Sequence, residues 1–201
     1  MRKSQITNWC HEMIRSQVKT GGVYVDATMG NGHDTLFLCE MAGECGKVFA
    51  FDIQKIALES TRKRLGERGF TEDISVVTDG SECRGRIALI LDGHEHMDRY
   101  VETGSVDVVC FNFGYLPGGD HAVCTKKETD LKAIRTALHL LKKGGMLSLC
   151  IYSGKDTGFE EKEAILDFLK GLPSREYTVI VNSYHNRENN PPIPVFVWKE
   201  E

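Results

Sequence analysis

The stretch of sequence that decides the fold is Val23-Tyr24-Val25-Asp26-Ala27-Thr28-Met29-Gly30-Asn31-Gly32-His33-Asp34. A short apolar run that ends at Asp26 is typical of a buried strand. Gly30 and Gly32 then allow a sharp backbone turn and a close approach to a ligand. A helix predicted from about Asp34 to Met41 would point its free N–H groups at the turn, where they can bind a carboxylate or phosphate. This unit therefore predicts both a strand–turn–helix and a binding site.

Strand-like apolar runs alternate with helical segments along the rest of the chain. The predicted strands are 23–27, 47–52, 74–78, 87–91, 106–111, 146–152, 177–182 and 195–198, and only one of 74–78 and 87–91 is needed in the main sheet. The predicted helices are 34–41, 54–68, 127–142, which Gly144-Gly145 would stop, and 159–170. Strands separated by helices imply a parallel sheet covered on both faces, whereas only a loop separates the last two strands. We predict one α/β domain over residues 1–201: a doubly wound, mostly parallel seven-stranded sheet with a C-terminal antiparallel hairpin.

Composition limits the classes of function. Lys plus Arg is 25 and Asp plus Glu is 29, so the net charge of −4 argues against a protein that binds nucleic acid by bulk positive charge. The net charge does not exclude a local basic patch, and Lys126-Lys127 is the best candidate for contact with an RNA backbone. No apolar run is long enough for a membrane span, and no signal peptide is expected. Seven cysteines without a Cys-x-x-Cys pair favour reduced thiols and a cytoplasmic location, and no metal site is expected.

The turn and the second strand together indicate a ribose-containing cofactor. Asp52 ends the second strand, twenty residues after Gly32, where a carboxylate can accept both ribose hydroxyls. A dinucleotide fingerprint would have a third glycine, but Thr35 stands there. Carboxylates at Asp26 and Asp34 would repel a pyrophosphate but suit a cationic amine and a sulfonium, which favours S-adenosyl-L-methionine. The alternative is an ordinary strand–turn–helix with structural glycines.

Longer motifs resemble a known family. Asp26-x-Thr28-x-Gly30-x-Gly32 resembles motif I of class I S-adenosylmethionine-dependent methyltransferases, with Thr28 in place of the usual first glycine. The chain is similar, over about residues 20–198, to a bacterial group of rRNA methylases that includes methyltransferases of the 5-aminomethyl group of 2-thiouridine at the tRNA wobble position. The motifs that carry this resemblance are Asp26–Thr35, Phe51–Gln54, Asn112–Asp120 and Asn186-x-x-Asn189-x-Pro191-Pro192. The resemblance implies a Rossmann-like methyltransferase fold.

The resemblance also implies which residues bind the cofactor. Those expected around its methionine part are Asp26, Thr28, Gly30, Asn31, Gly32, His33 and Asp34. Asp52 would hold the ribose, with Ile53 and Gln54 beside the adenine, and Asp92-Gly93-His94 would lie at the adenine edge. About fourteen residues near 71–84 are extra relative to the family. Asp79-Gly80 is therefore an alternative to Asp92-Gly93-His94 for the contact with the adenine.

A second loop, Asn112–His121, is where chemistry is expected. Amino-directed methyltransferases carry Asn/Asp-Pro-Pro-Tyr/Phe at the comparable loop, and Asn112 and Tyr115 keep its first and fourth places without the prolines. Asp120 and His121 are the nearest candidates for a proton acceptor, although both suit a solvated loop equally well. Further candidates for substrate binding are Tyr152, Lys155, Asn186 and Asn189. Tyr152 also suits a strand-end aromatic, and Asn186 and Asn189 a hairpin connection.

The leading functional hypothesis is a methyltransferase that acts on the tRNA wobble uridine. The alternatives are an rRNA or small-molecule N-methyltransferase and, in another class, a module that binds S-adenosylmethionine without chemistry. A chain of 201 residues leaves little room for a separate RNA-binding domain. The catalytic face would therefore bind RNA as well, with a homodimer as one way to enlarge it.

Overall fold

A computed structural model describes residues 6–78, 83, 85–113, 127–152, 158–188 and 190–201. The helices are α1 (Ile6–Gln17), α2 (His33–Ala42), α3 (Lys55–Gly66), α4 (Lys127–Leu140) and α5 (Gly158–Lys170), with short 3₁₀ turns at Thr71–Asp73 and His94–Arg99. The strands are β1 (Val23–Asp26), β2 (Lys47–Asp52), β3 (Ile74–Val77), β4 (Ile87–Leu91), β5 (Val106–Phe113), β6 (Leu141–Ile151), β7 (Tyr177–Val181) and β8 (Ile193–Lys199).

The strands form a single sheet in the order β3-β4-β2-β1-β5-β6-β8-β7. All neighbouring pairs are parallel except those of β8, which lies antiparallel between β6 and β7. The chain moves outward from β1 in one direction through β2 and in the other through β5. The strand order thus reverses between β1 and β5, and such a switch point opens a crevice at the carboxyl ends of the strands.

Two apolar layers cover the sheet, as expected for a doubly wound fold. Tyr24 and Val108 face a layer formed with α1, α2 and α3, whereas Val25 and Val109 face a layer formed with α4 and α5. Neighbouring residues of a strand point to opposite faces, so buried strands read as continuous apolar runs. The predicted α/β fold with a C-terminal antiparallel hairpin is confirmed.

Over the described residues, the sheet has eight strands rather than the predicted seven. Both candidate strands enter it, because β4 pairs with β2 and β3 adds a further parallel strand outside β4. The Arg86 guanidinium holds the start of this edge segment through Nε and Nη2 bonds to the Asp73 carboxylate. The described part of the apparently extra segment near 71–84 therefore forms an edge strand. Asp79-Gly80 lies outside the described residues.

Two boundaries differ from the sequence prediction. Helix α4 ends at Leu140 rather than at 142, and Gly144-Gly145 lies inside β6 instead of stopping the helix. A Cβ on Gly145 would lie 2.8 Å from the carbonyl oxygen of Val106, so close strand contact, not helix termination, requires glycine there.

Helix α1 has no counterpart among the helices predicted from the sequence, and its segment is mostly polar. Its signal is the spacing of Ile6, Cys10 and Ile14, which form the buried stripe of the helix. Among the described residues, no helix has both the length and the apolar character needed to cross a membrane.

Candidate functional site

The loop after β1 is built around Asp26. Its fully buried carboxylate accepts hydrogen bonds from the Thr28 amide at 3.1 Å and from the Thr35 hydroxyl at 2.6 Å. These bonds join the start of the loop to the first turn of α2. Burial, together with the nearby charge of Asp34, raises the pKa of Asp26 to about 7. Asp26 therefore lies beneath the loop and shapes it from below.

The two glycines make the predicted turn. Gly30 and Gly32 have φ values of 49° and 74°, in the left-handed region that favours glycine. A Cβ on Gly32 would lie 2.7 Å from the Thr61 hydroxyl and 2.9 Å from the Thr61 Cα. The loop thus depends on glycine both for its conformation and for its close packing against α3.

Helix α3 holds the loop through two residues that the sequence analysis missed. The Thr61 hydroxyl donates to the Gly30 carbonyl at 3.1 Å, and Arg64 Nε donates to the Asn31 carbonyl at 2.6 Å. Arg64 also lies 3.1 Å from the His33 ring; burial first, and then the Arg64 charge, lowers the pKa of His33. Arg64 belongs to the basic run Arg62-Lys63-Arg64. Its position around the helix turns it towards the loop, whereas Arg62 and Lys63 are exposed.

Asp52 connects the loop to the start of α3. Its carboxylate accepts from the Gly30 amide at 3.0 Å and from the Gln54 amide at 2.9 Å. Burial raises its pKa, although hydrogen bonds from those amides oppose the rise. Gln54 caps α3, and the Ile53 side chain beside it is 61% exposed. A carboxylate next to an open apolar surface is the arrangement predicted for a ribose and its base.

In the segment after β4, the Asp92 side chain bonds mainly within its own turn, whereas the sequence predicts that it lies at the adenine edge. The Asp92 carboxylate accepts from the Gly93 amide, from His96 Nδ1 and from the Tyr100 hydroxyl, all within 2.9 Å. Burial alone would raise the pKa of Asp92, but these hydrogen bonds outweigh it and lower the pKa. A Cβ on Gly93 would meet the Glu95 carboxylate, which is the far end of a flexible side chain and can move aside.

His94 lies in the same segment after β4, and its side chain points into the interior of the protein. Its Nε2 lies 3.2 Å from the buried carboxylate of Asp130 on α4, and its ring meets Phe111 and Phe113 edge-on. Burial lowers the pKa of His94, which favours the neutral ring. His94 and His96 thus contact different carboxylates. Among the described residues, no group of three metal-ligating side chains is present.

Asn112 on β5 connects the loop after β1 to α1 through Asp34. Its amide N–H donates to the Thr28 hydroxyl at 2.8 Å, and its side-chain Nδ2 donates to Asp34 Oδ2 at 2.5 Å. His11 Nε2 lies 2.7 Å from the other oxygen of Asp34. His11, on the missed helix α1, is therefore a site residue that sequence reasoning did not find.

A small pocket lies between α1 and the ends of β5 and β6. Its lining is mixed apolar and polar: Thr7, Cys10, His11, Ile14, Asp34, Cys110, Phe111, Asn112, Ser148 and Cys150. Tyr152 follows β6 directly, is 39% exposed, and its hydroxyl contacts the Cys150 thiol. The structure therefore brings Asn112, Asp34 and Tyr152 to one end of the sheet.

The loop between β7 and β8 reaches the same end of the sheet, at the carboxyl end of β6. Ile193 pairs with Ile151 at the carboxyl end of β6, so the loop that carries exposed Asn186 ends beside the site. Arg187 stacks on the Tyr184 ring at 4.2 Å in this loop. Five other predicted site residues lie outside the described residues: Tyr115, Asp120, His121, Lys155 and Asn189.

The residues present fit S-adenosylmethionine. Gly32 has no room for a side chain, and the Asp52 carboxylate keeps lone pairs for ribose hydroxyls beside exposed Ile53. The pocket lined by Asn112 lies at the neighbouring strand end. The fold and these loops define an S-adenosylmethionine-dependent methyltransferase.

The chain belongs to the putative rRNA methylase family, whose model matches residues 48–198. It is 36% identical, over 99% of its length and 71% of the relative's, to the chloroplastic tRNA (mnm(5)s(2)U34)-methyltransferase of Arabidopsis thaliana.

Solved structures of two relatives agree with this family. A putative rRNA methylase from Clostridium thermocellum has a TM-score of 0.88 and 41% identity, with 99% of this chain and 100% of that chain covered. A putative methyltransferase from Streptococcus mutans, in complex with SAH, has a TM-score of 0.82 and 34% identity, with 98% of both chains covered.

Proposed function

We propose that this enzyme methylates the primary amine of the 5-aminomethyl group on 2-thiouridine at the wobble position of tRNA. The similarity to the Arabidopsis tRNA methyltransferase supports this substrate, because it extends over 99% of the chain. The observation in the structure that carries the proposal is the position of Asn112 at the switch-point crevice, where its backbone N–H donates to the Thr28 hydroxyl and its side-chain amide donates to Asp34. An amide oxygen placed there can accept a hydrogen bond from an amine.

The cofactor would lie along the loop after β1. We propose that Thr28, Asn31, His33 and Asp34 surround its methionine end, over the frame that Asp26, Gly30 and Gly32 maintain. Asp52 would accept the ribose hydroxyls, with Ile53 and Gln54 on the adenine. Asp92, Gly93 and His94 would form the far wall, where Asp92 contributes mainly by holding its own turn.

The chemistry is a displacement at carbon. The cofactor supplies a methyl group on a sulfonium, so the amine nitrogen bonds to that carbon as the carbon–sulfur bond breaks and a neutral thioether leaves. Before this step the alkylammonium must lose a proton, because only the neutral amine has a lone pair. We propose Asp120 or His121, which follow Asn112 in the same loop sequence, as the acceptor of that proton. Tyr115 holds the fourth place of the amino-directed motif, and we propose it as a base-stacking residue.

RNA would bind across the end of the sheet where the carboxyl ends of β5 and β6 lie. The exposed ring of Tyr152 can stack on a base, and Asn186 and Asn189 would contact the anticodon region from the neighbouring loop. Lys155 and Lys126-Lys127 are proposed to contact phosphates. Since the net charge is −4, recognition of one exposed nucleotide would contribute more than bulk attraction.

The direct test is a methylation assay with the purified enzyme and S-adenosylmethionine. We expect 5-methylaminomethyl-2-thiouridine to form on tRNA that carries 5-aminomethyl-2-thiouridine, as measured by mass spectrometry of the nucleosides. The matched control is the same tRNA without the aminomethyl group, which should gain no methyl.

Methylation of that control, or of rRNA in preference to the aminomethyl tRNA, would contradict the substrate assignment and favour the rRNA alternative. Binding of SAH with no transfer to any RNA would favour a binding module instead.

A further inference from the structure

Three elements that are far apart in sequence meet at one carboxylate. Asp34 lies in the first turn of α2, His11 lies on α1, and Asn112 lies near the end of β5. Asp34 Oδ1 is 2.7 Å from His11 Nε2, and Asp34 Oδ2 accepts from Asn112 Nδ2 at 2.5 Å. The side chains of His11 and Asp34 are only 16% and 13% exposed, so water competes weakly for these bonds.

The carboxylate determines which way the Asn112 amide faces. A primary amide has a donor end and an acceptor end of almost the same shape, so packing alone selects neither. An ionised carboxylate only accepts hydrogen bonds, so the nitrogen end must face Asp34. Oδ1 is then turned away from Asp34, and it is the end of the amide that can accept a hydrogen bond from an amine.

Asp34 is itself held from several sides. It lies in the first turn of α2, where the helix dipole favours a negative charge. The His11 ring is stacked on Phe37 with a centroid distance of 3.8 Å and an interplanar angle of 10°, and the Arg15 guanidinium lies over the Phe37 ring, 4.8 Å from its centroid. The donor from α1 therefore cannot swing away from the carboxylate freely.

We propose that Asp34 is a positioning residue of the methyl transfer: it fixes the Asn112 amide so that Oδ1 accepts from the target amine, and His11 keeps Asp34 in place. This inference rests on the proposed amine substrate. It gives Asp34 a task beyond the cofactor contact that its place in the loop suggests. It also gives α1 a function, because this helix supplies the His11 donor.

The kinetic test compares Asp34→Ala and Asp34→Asn with Glu40→Gln, an exposed carboxylate on the same helix. At saturating S-adenosylmethionine we expect kcat to fall by about 100-fold in both Asp34 variants, the scale that misplacement of a reacting group produces. Asp34→Asn offers only one acceptor oxygen, so it cannot satisfy both His11 and Asn112. Glu40→Gln should match the wild type. A kcat that stays at the wild-type value, with only the affinity for SAH reduced, would show that Asp34 is a cofactor ligand and no more.

The His11 variants separate the donor from the ring. His11→Gln keeps an N–H near the position of Nε2, whereas His11→Phe keeps the stack on Phe37 and loses the donor. We expect His11→Gln to retain most of kcat and His11→Phe to lose it. The reverse order would mean that His11 only packs.

NMR of isotope-labelled asparagine side chains tests the inference without catalysis. The Asn112 NH₂ resonance, assigned by its loss in Asn112→Asp, should be shifted downfield by the carboxylate in the wild type and in Glu40→Gln. It should move to the position of a solvated amide in Asp34→Ala. A resonance that does not move would overturn the inference alone, whereas an enzyme that methylates no aminomethyl RNA would contradict the proposed function.

Discussion

At the scale of single residues, burial changes the chemistry of the carboxylates at the strand ends. Asp26 and Asp52 both have raised pKa values because they are removed from water, whereas hydrogen bonds lower that of Asp92. Three carboxylates that look alike in the sequence therefore have different tasks. Asp26 supports the loop after β1, Asp52 joins that loop to the start of α3, and Asp92 caps its own turn.

The pKa of Asp26 predicts how stability depends on pH. Its value is about 7 in the folded protein and 3.8 in an unfolded chain, so between these values the folded state binds the extra proton. The contribution of Asp26 to stability is full below about pH 4, is lost as the pH rises through 7, and is constant above. In urea unfolding, the free-energy difference between the wild type and Asp26→Asn should shrink or change sign over this interval.

The control for this experiment is Asp98→Asn, which neutralises an exposed carboxylate. Its difference from the wild type should show no such slope. A difference between the wild type and Asp26→Asn that stays constant from about pH 5 to 7 would contradict the prediction, because it would mean that Asp26 is already ionised in the folded protein over this interval.

At the scale of elements, α3 and α1 position a loop to which neither belongs. The loop after β1 has the glycines needed for its turn, but its carbonyls are held from α3 by Thr61 and Arg64. Secondary structure could be predicted from the apolar spacing of α3. That its polar face binds the loop could not, because the partner lies more than thirty residues away in the chain.

Arg64→Ala should weaken cofactor binding through the loop. Loss of its bonds to Asn31 and His33 removes roughly 1–2 kcal/mol of support. The affinity for SAH, measured by calorimetry, should then fall by about 5–30-fold. Arg62→Ala, an exposed neighbour on the same helix, is the matched control and should leave the affinity unchanged. Equal losses in both variants would indicate a general charge effect instead of loop support.

At the scale of the whole molecule, β8 completes the sheet. It lies between β6 and β7, so its inner residues are covered by neighbours on both edges and by helices on both faces. Phe196 is fully buried at its centre, and its register partner Ile180 on the edge strand β7 is 45% exposed. The last segment of the chain is thus part of the core.

Phe196→Ala should destabilise the protein by about 3–5 kcal/mol, because it leaves a cavity in a packed interior. Ile180→Ala, at the paired position, should cost about 0.5 kcal/mol, as expected for a surface change. Chemical denaturation of both variants measures these values. Similar values for the two would show that β8 packs no more tightly than the edge strand.

The amino-acid sequence by itself determined the alternation of strands and helices, the glycine turn after Asp26 and the carboxylate at Asp52. Each of these depends on local spacing, and local spacing is visible in a linear chain. Only the tertiary structure decided that both β3 and β4 enter the sheet, that Gly145 serves strand contact, and that Asp26 lies beneath the loop. It also brought His11, Asp34 and Asn112 together, since that contact requires α1, α2 and β5 to pack at one end of the sheet. Burial and long-range hydrogen bonds arise only when distant segments meet, and they fix how the side chains of a local motif are oriented.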